Sequence, residues 1–372
     1  MIAGKIFKES VSWKQKFRRL LLCLSRKNAA GKSWKKRHAI VFKQHPEYRV
    51  MLPTSVERNH RELWNPFRRK RNVPMDSLKI CTAISGVENP EIVPEEIFQS
   101  DIEPSLNHYP EAHFQSVKHF YSNRHPEAGF PTCYLHKIEG EWYDNRLKLL
   151  VGKPLETALS QLTFPVLVKP GIDSYGGSGV NFVEDAGMLS KTVKNRIHVV
   201  VQQIMDQAPE LAVYHPESLN TVRVYLYRSV LDNRLHILNC AFRTGNGSKV
   251  DNVASGGLVS LIRDNGQLNG FALDRYGQKY EQHPVSGVSF NGEIPNFEEL
   301  NKLAKVVAGQ LHLLRIIGLD LFYDENEQWR MLEINTKGHS IRFAQYAGQP
   351  FFGEFTKEVI EYCKENHWAL TV

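Results

Sequence analysis

Cysteine is scarce in this chain of 372 residues: Cys23, Cys81, Cys133, Cys240 and Cys363 are far apart, and none stands in a Cys-x-x-Cys pair. Such scatter supplies neither a disulfide framework nor a zinc cluster, and it points to a reducing, cytoplasmic compartment. No stretch approaches the roughly 20 consecutive apolar residues that cross a bilayer. The run at residues 20–24 is also too short for the core of a secretory signal. No Gly-Lys-Ser/Thr follows a glycine loop, which excludes a Walker-type phosphate loop, and no helix opens directly after the glycines as a dinucleotide site requires. No Ser/His/Asp arrangement stands out, and internal repeats and low-complexity linkers are missing. What remains is an ordinary globular composition, 42% hydrophobic, in a chain long enough for two lobes with a full core.

Charge is unevenly spread. Residues 1–75 hold 20 Lys+Arg against 4 Glu, net +16, and the remainder carries net −9. The segment from Trp13 to Lys27 suits a helix with one apolar and one basic face. A peripheral contact with anionic membrane through residues 10–37 is therefore one expectation, at the inner membrane face. A solvated basic helix packed on the acidic half is the plainer alternative. Nucleic acid, suggested by Arg68, Arg69, Lys70 and Arg71, is the disfavoured partner.

The densest chemical signal lies near the C-terminal end. Residues 318–323 and 329–335 are two apolar, aromatic-rich runs around Asp324-Glu325-Asn326-Glu327, which predicts a tight antiparallel hairpin. With the turn centred between Asn326 and Glu327, Asp320 falls opposite Glu333, and Asn335 points to the same face. Two facing carboxylates destabilise a sheet unless a cation neutralises them. An all-oxygen set with one carboxamide suits Mg²⁺; a solvated hairpin face is the alternative.

Upstream, residues 164–170 form an apolar, β-branched run that contains Lys169. A glycine-rich loop follows, with Ser174, Tyr175, Gly176, Gly177, Ser178 and Gly179. A lysine at the end of a buried strand wants an anion, and such a loop lets backbone N–H groups approach one. Residues 197–204 read as a strand turning polar at Gln202, Gln203 and Ile204. Arg223 interrupts the alternation of residues 218–227 and suits bidentate contact with phosphate or carboxylate; an ion pair with a neighbouring strand would serve equally. Residues 240–245, with Arg243, lead to the polar loop of Asp251, Asn252, Gly256 and Gly257. Between Asp101 and Tyr143 five histidines (His108, His113, His119, His125, His136) lie among aromatics. Their spacing fits no compact zinc pattern, so packing or acceptor contact is expected of them.

This order of parts resembles the ATP-grasp superfamily, and within it the sugar-transfer-associated group, which carries an Asn-Thr-x-Arg strand (here Asn220, Thr221, Val222, Arg223) and an Asp-Asn…Gly-Gly loop. The resemblance covers about residues 130 to 365. It implies an α+β fold, two α+β lobes with ATP between antiparallel sheets, preceded by a basic helical segment. It further implies that Lys169 meets the α- and β-phosphates and that the glycine-rich flap covers the β- and γ-phosphates. Gln202, Gln203 and Ile204 would frame adenine, with Gln203 where an acid is usual. Asp320, Glu333 and Asn335 would hold Mg²⁺, normally two ions. Arg223 would serve the γ-phosphoryl group and an acyl phosphate, and Arg243 the acceptor. A second ATP-contacting lysine would be Lys148 or Lys153.

The expected organisation is a basic, helical segment at 1–75, a small pre-ATP lobe at 76–150, and a catalytic region at 151–372, divided into a flap lobe to 205 and a metal lobe beyond. Asn296 to Glu299 reads as a capping box opening a helix that Gly318 closes, and a last amphipathic helix is expected over residues 351–365. The expected function is an ATP-dependent carbon–nitrogen ligase acting through an acyl phosphate on a cell-surface polysaccharide precursor or peptide. The acceptor pocket would be lined by the 251–257 loop, the turn of Lys337, Gly338 and His339, and parts of 100–145. A kinase of the same architecture, or a non-catalytic nucleotide-binding protein, are the alternatives.

Overall fold

The computed structural model describes residues 2–172, 179–247 and 256–371. The basic lead is helical: α1 (Ile2–Lys8), α2 (Trp13–Gln44) and α3 (Thr54–Trp64). Ser12 and Gln15 form a reciprocal capping box that starts α2, each side chain bonding the other's backbone N–H. The apolar run near residue 80 is a further helix, α4 (Asp76–Ser85), ended by Gly86 in the left-handed conformation.

Two antiparallel sheets follow. The smaller joins β1 (Cys133–Ile138), β2 (Glu141–Asp144), β3 (Leu149–Leu150), β4 (Val166–Pro170), β5 (Asn181–Val183) and β6 (Val199–Gln202) in the order β3-β2-β1-β6-β4-β5. Val166, Val168, Val199 and Val201 alternate into its core with Leu135, Leu189 and Val193. The boundary expected at residue 150 therefore falls within a sheet, because β1 pairs with β6 across it.

The larger sheet joins β7 (Thr221–Arg228), β8 (Leu235–Thr244), β9 (Leu258–Ile262), β10 (Ala272–Leu273), β11 (Lys279–Tyr280), β12 (Ile316–Tyr323) and β13 (Trp329–Asn335) in the order β11-β10-β9-β8-β7-β12-β13. Both of its faces are covered. Along β7, Val222, Val224 and Leu226 pack against α5 (Phe297–Gly309) on one side. Tyr225 and Tyr227 pack on the other, with Trp64, Phe98, Phe351 and α6 (Thr356–Glu365). The basic lead is thus built into the core under the larger sheet. Asp101, fully buried, holds it there, in ion pairs with Lys27 and Arg68, and it also accepts a hydrogen bond from His367 Nε2 at 2.9 Å.

Two sequence expectations change at α5. The helix begins where expected, but Asn296 sits in the left-handed region (φ +46°) without a side-chain cap and gives its Nδ2–H to the Tyr323 hydroxyl at 2.7 Å. A tertiary partner has displaced the capping box. The helix also ends at Gly309, and Gly318 lies inside β12. There a Cβ would stand 3.0 Å from the His339 ring, so the glycine answers a close approach and not a helix end. The last helix is shorter than expected, Thr356–Glu365, after a 3₁₀ turn at Gly353–Phe355.

Candidate active site

The hairpin places its carboxylates as its pattern predicts. Asp320 on β12 pairs with Glu333 on β13, and a register shift follows directly after Asp320. On the other side of β12, Asp320 pairs with Arg223 of β7, which in turn pairs with Ala241 of β8. One row across four strands thus reads Glu333, Asp320, Arg223, Ala241, with Arg243 two residues further along β8 on the same face.

The row is electrostatically closed on itself. Arg223 grips both carboxylate oxygens of Asp320, its Nη2 donating to Oδ2 at 2.7 Å, and Arg243 Nη1 lies 3.2 Å from the same oxygen. Burial alone would raise the Asp320 carboxyl; the two guanidinium groups outweigh it and bring it down to about 2. Asn335 Nδ2 lies 3.4 Å from Asp320 Oδ2. Glu333, more open to solvent, is paired with Lys118.

Lys118 is a cleft residue the sequence did not disclose. It opens a single 3₁₀ turn (Lys118–Phe120) without periodic signal, and its backbone N–H donates to the Gly171 carbonyl at 2.9 Å, beside the end of β4. Its side chain meets Glu333 from the opposite lobe. The other lysine, Lys169, is only 8% exposed. Burial, and next the Lys118 ammonium, bring Lys169 from its ordinary 10.5 down to about 8, while Glu333 and Cys133 act the other way. Lys148 and Lys153 correct the sequence reading. Both are exposed, Lys148 in the turn between β2 and β3 and Lys153 at the start of the next helix, and neither lines the cleft.

That cleft, of about 950 Å³, runs between the two sheets. Leu167, Val180 and Phe182 from the small lobe and Leu332 from the hairpin provide apolar walls; Gln202, Gln203, Ile204, Met205 and Asp206 form its hinge edge; and Lys118, Lys169, Arg223, Arg243, Asp320, Glu333 and Asn335 gather together in it. The Gln203 backbone N–H is already engaged by the Thr132 carbonyl. Asp206 brings a carboxylate to the hinge, three residues beyond the position where an acid was sought. Lys337 and Gly338 line the cleft as expected. His339 is buried and holds Glu103 through its backbone N–H and Nδ1, a packing role. Ser174, Tyr175, Gly176, Gly177 and Ser178 lie outside the described residues, as do Asp251 and Asn252. Gly179, where the flap returns, has φ +78° and lies against Pro170.

The donor set for a cation is two carboxylates and a carboxamide, all hard oxygen ligands that fit Mg²⁺. Among the described residues no cluster of three or more His, Cys, Asp and Glu side chains offers a transition-metal site. Of the five histidines, His119 and His136 form a buried contact, Nδ1 to Nδ1 at 3.2 Å. Burial lowers His119 to about 3 and His136 to about 4, which keeps both rings neutral.

No curated protein matches the sequence. Similar solved structures include VanG D-Ala:D-Ser ligase from Enterococcus faecalis, at 12% identity and TM-score 0.40 over 67% of this chain and 60% of that one. D-alanine–D-alanine ligase from Bacillus anthracis matches at 13% identity and TM-score 0.38, over 68% of this chain and 67% of that one. N5-carboxyaminoimidazole synthetase from Staphylococcus aureus in complex with ADP matches at 11% identity and TM-score 0.40, over 66% and 52%. The chain spans about half the length of the carboxyaminoimidazole synthases and synthetases it matches. Residues 180–359 match the model described as sugar-transfer associated ATP-grasp, the stretch that runs from the returning flap through Arg223, Asp320 and Glu333 into α6. Over those residues, a little under half of the chain, the sequence is similar to the sugar-transfer associated ATP-grasp family.

Proposed function

We propose that the protein is an ATP- and Mg²⁺-dependent ligase that joins a carboxylate to an amine through an acyl phosphate, acting on a cell-surface polysaccharide precursor or a peptide. The observation that carries this reading is the gathering of Lys118, paired with Glu333, and the buried Lys169 in one cleft with Arg223 and Arg243. A buried ammonium brought down by burial and by a second ammonium calls for a polyanion, and a triphosphate satisfies several cations at once.

Asp320, Glu333 and Asn335 would hold the metal, which would offset the charge of the phosphate chain. Transfer of the γ-phosphoryl group needs positioning and cations at the developing charge, not a protein nucleophile. The acceptor carboxylate takes the phosphoryl group and ADP leaves; the amine then displaces phosphate from the acyl carbon. Arg223 and Arg243 would balance the oxygens that change charge in both steps. Arg37, Arg275, Arg342 and Lys337 also line the cleft, beside Tyr276 and Phe343, and these side chains suit an acidic acceptor such as a uronic-acid sugar.

Calorimetry with MgATP on wild type and Glu333→Ala tests the site. Micromolar binding that weakens at least tenfold in the variant supports it, about 1.4 kcal/mol; no binding to either protein refutes it. Hydroxylamine trapping with candidate acceptors then tests the chemistry. A hydroxamate marks an acyl phosphate, whereas a stable phosphate ester would mark a kinase.

A further inference from the structure

Helix α2 has a second face that the fold leaves uncovered. Its buried face is made by Cys23, Ala30, Trp34, His38, Val41 and Phe42. About a quarter turn away, Trp13, Phe17, Leu21 and Leu24 recur at helical spacing and are 69%, 55%, 63% and 54% exposed. Four large apolar side chains in one row are far more than the scattered exposure usual on a soluble surface. The row is extended sideways by Phe7 of α1, whose ring lies 5.8 Å from that of Trp13 and 6.4 Å from that of Phe17.

The charge around the row is of one sign. Helix α2 contains eleven Lys and Arg and no acidic residue. By helical spacing Lys14 and Arg18 flank the apolar row, and Lys32, Lys35 and Lys36 continue that side of the helix; all five are exposed. The acid nearest the apolar row along the chain is Glu9. Glu365, from α6, is already paired with Lys5. No helix among the described residues is long and apolar enough to cross a membrane, so a surface contact is the mode open to this helix.

From this arrangement we propose that α2 and α1 form a docking surface for an anionic phospholipid bilayer, with Trp13, Phe17, Leu21 and Leu24 entering the headgroup boundary and the lysines and arginines meeting lipid phosphates. Apolar insertion beside a basic flank is what an interfacial helix needs. Nucleic acid would use the charges and leave the aromatic row in water, and a second copy of the chain would face the same positive charge. The proposal stands independently of the ligase reading.

The full chain is sedimented with vesicles of phosphatidylcholine, alone or mixed with phosphatidylglycerol. The expected result is binding to the mixed vesicles only, weakened by salt. Phe17→Glu and Leu21→Glu each lower it at least tenfold, since each apolar side chain is worth about that much in transfer. Both positions are exposed, so an unchanged melting temperature and unchanged MgATP binding show that the variants remain folded. Binding to neither vesicle overturns the proposal. So does equal sedimentation of wild type and both variants, which leaves only charge attraction, and so does a wild-type dimer in solution that Leu21→Glu converts to monomer.

Discussion

Lys169→Met separates what the fold wants from what the site needs. Methionine keeps the unbranched stem and removes the charge. The fall of Lys169 from 10.5 to about 8 means that holding the ammonium in place at pH 7 costs the folded protein about 3 kcal/mol. The variant is expected to be more stable by an amount approaching that figure, a few degrees in melting temperature for a chain of this size. It should also lose at least tenfold in MgATP affinity. The pH dependence fixes the sign. Between pH 8 and 10.5 the unfolded chain holds a proton that the folded chain has released, so wild-type stability rises with pH through that window. The advantage of the variant should therefore be full below pH 8 and vanish by about 10.5. Thermal unfolding of both proteins at several pH values, without nucleotide, reads it directly. A variant less stable than wild type at pH 7, or an advantage that stays constant to high pH, would refute the reasoning.

Further perturbations test how the site is supported. A Cβ at Gly171 would stand 2.0 Å from the His119 ring, so Gly171→Ala must displace the turn that carries Lys118. A stability loss of about 1–3 kcal/mol is expected, with weaker MgATP binding by calorimetry; Gly309→Ala, with open space around it, should change neither. Asp101→Asn leaves Lys27 and Arg68 without their counter-charge, and breaking such a buried group costs about 3–5 kcal/mol in denaturant unfolding. Although burial pushes the Asp101 carboxyl up, its partners His367, Lys27 and Arg68 hold it well below the usual carboxylate range. The wild-type contribution is thus complete above pH 4 and falls away as the pH drops through the folded value, so the gap between wild type and variant should narrow in acid.

The parts of the site that could be read from sequence are those built on period two. In β12 and β13 the alternation fixes which side chains share a face, and the short turn fixes the register, so Asp320 opposite Glu333 follows from counting. Lys169 and Arg223 were legible for the same reason: a charge inside an apolar strand has few explanations. Lys118 was not, because its position depends on a hydrogen bond to Gly171, 53 residues away, and on an ion pair from the other lobe. Asn296 and Gly318 misled because each residue type has two uses. Asn296 gave its amide to Tyr323, and Gly318 makes room for His339. The packing of the basic lead on the acidic half was one of two readings, but its anchor was hidden, since Asp101 is one acid among many until Lys27, Arg68 and His367 surround it.

Strand β4, which carries Lys169, lies between β5 and β6. The stretch that bears the family signature begins at residue 180, just after it. Cut there, the small sheet would keep only β5 and β6 of its six strands and lose β4, which joins them, and the large sheet would lose Trp64 and Phe98 from beneath Tyr225 and Tyr227. The matching stretch is therefore not a folding unit by itself. The chemistry proposed for it therefore rests on a scaffold that lies outside the matching stretch.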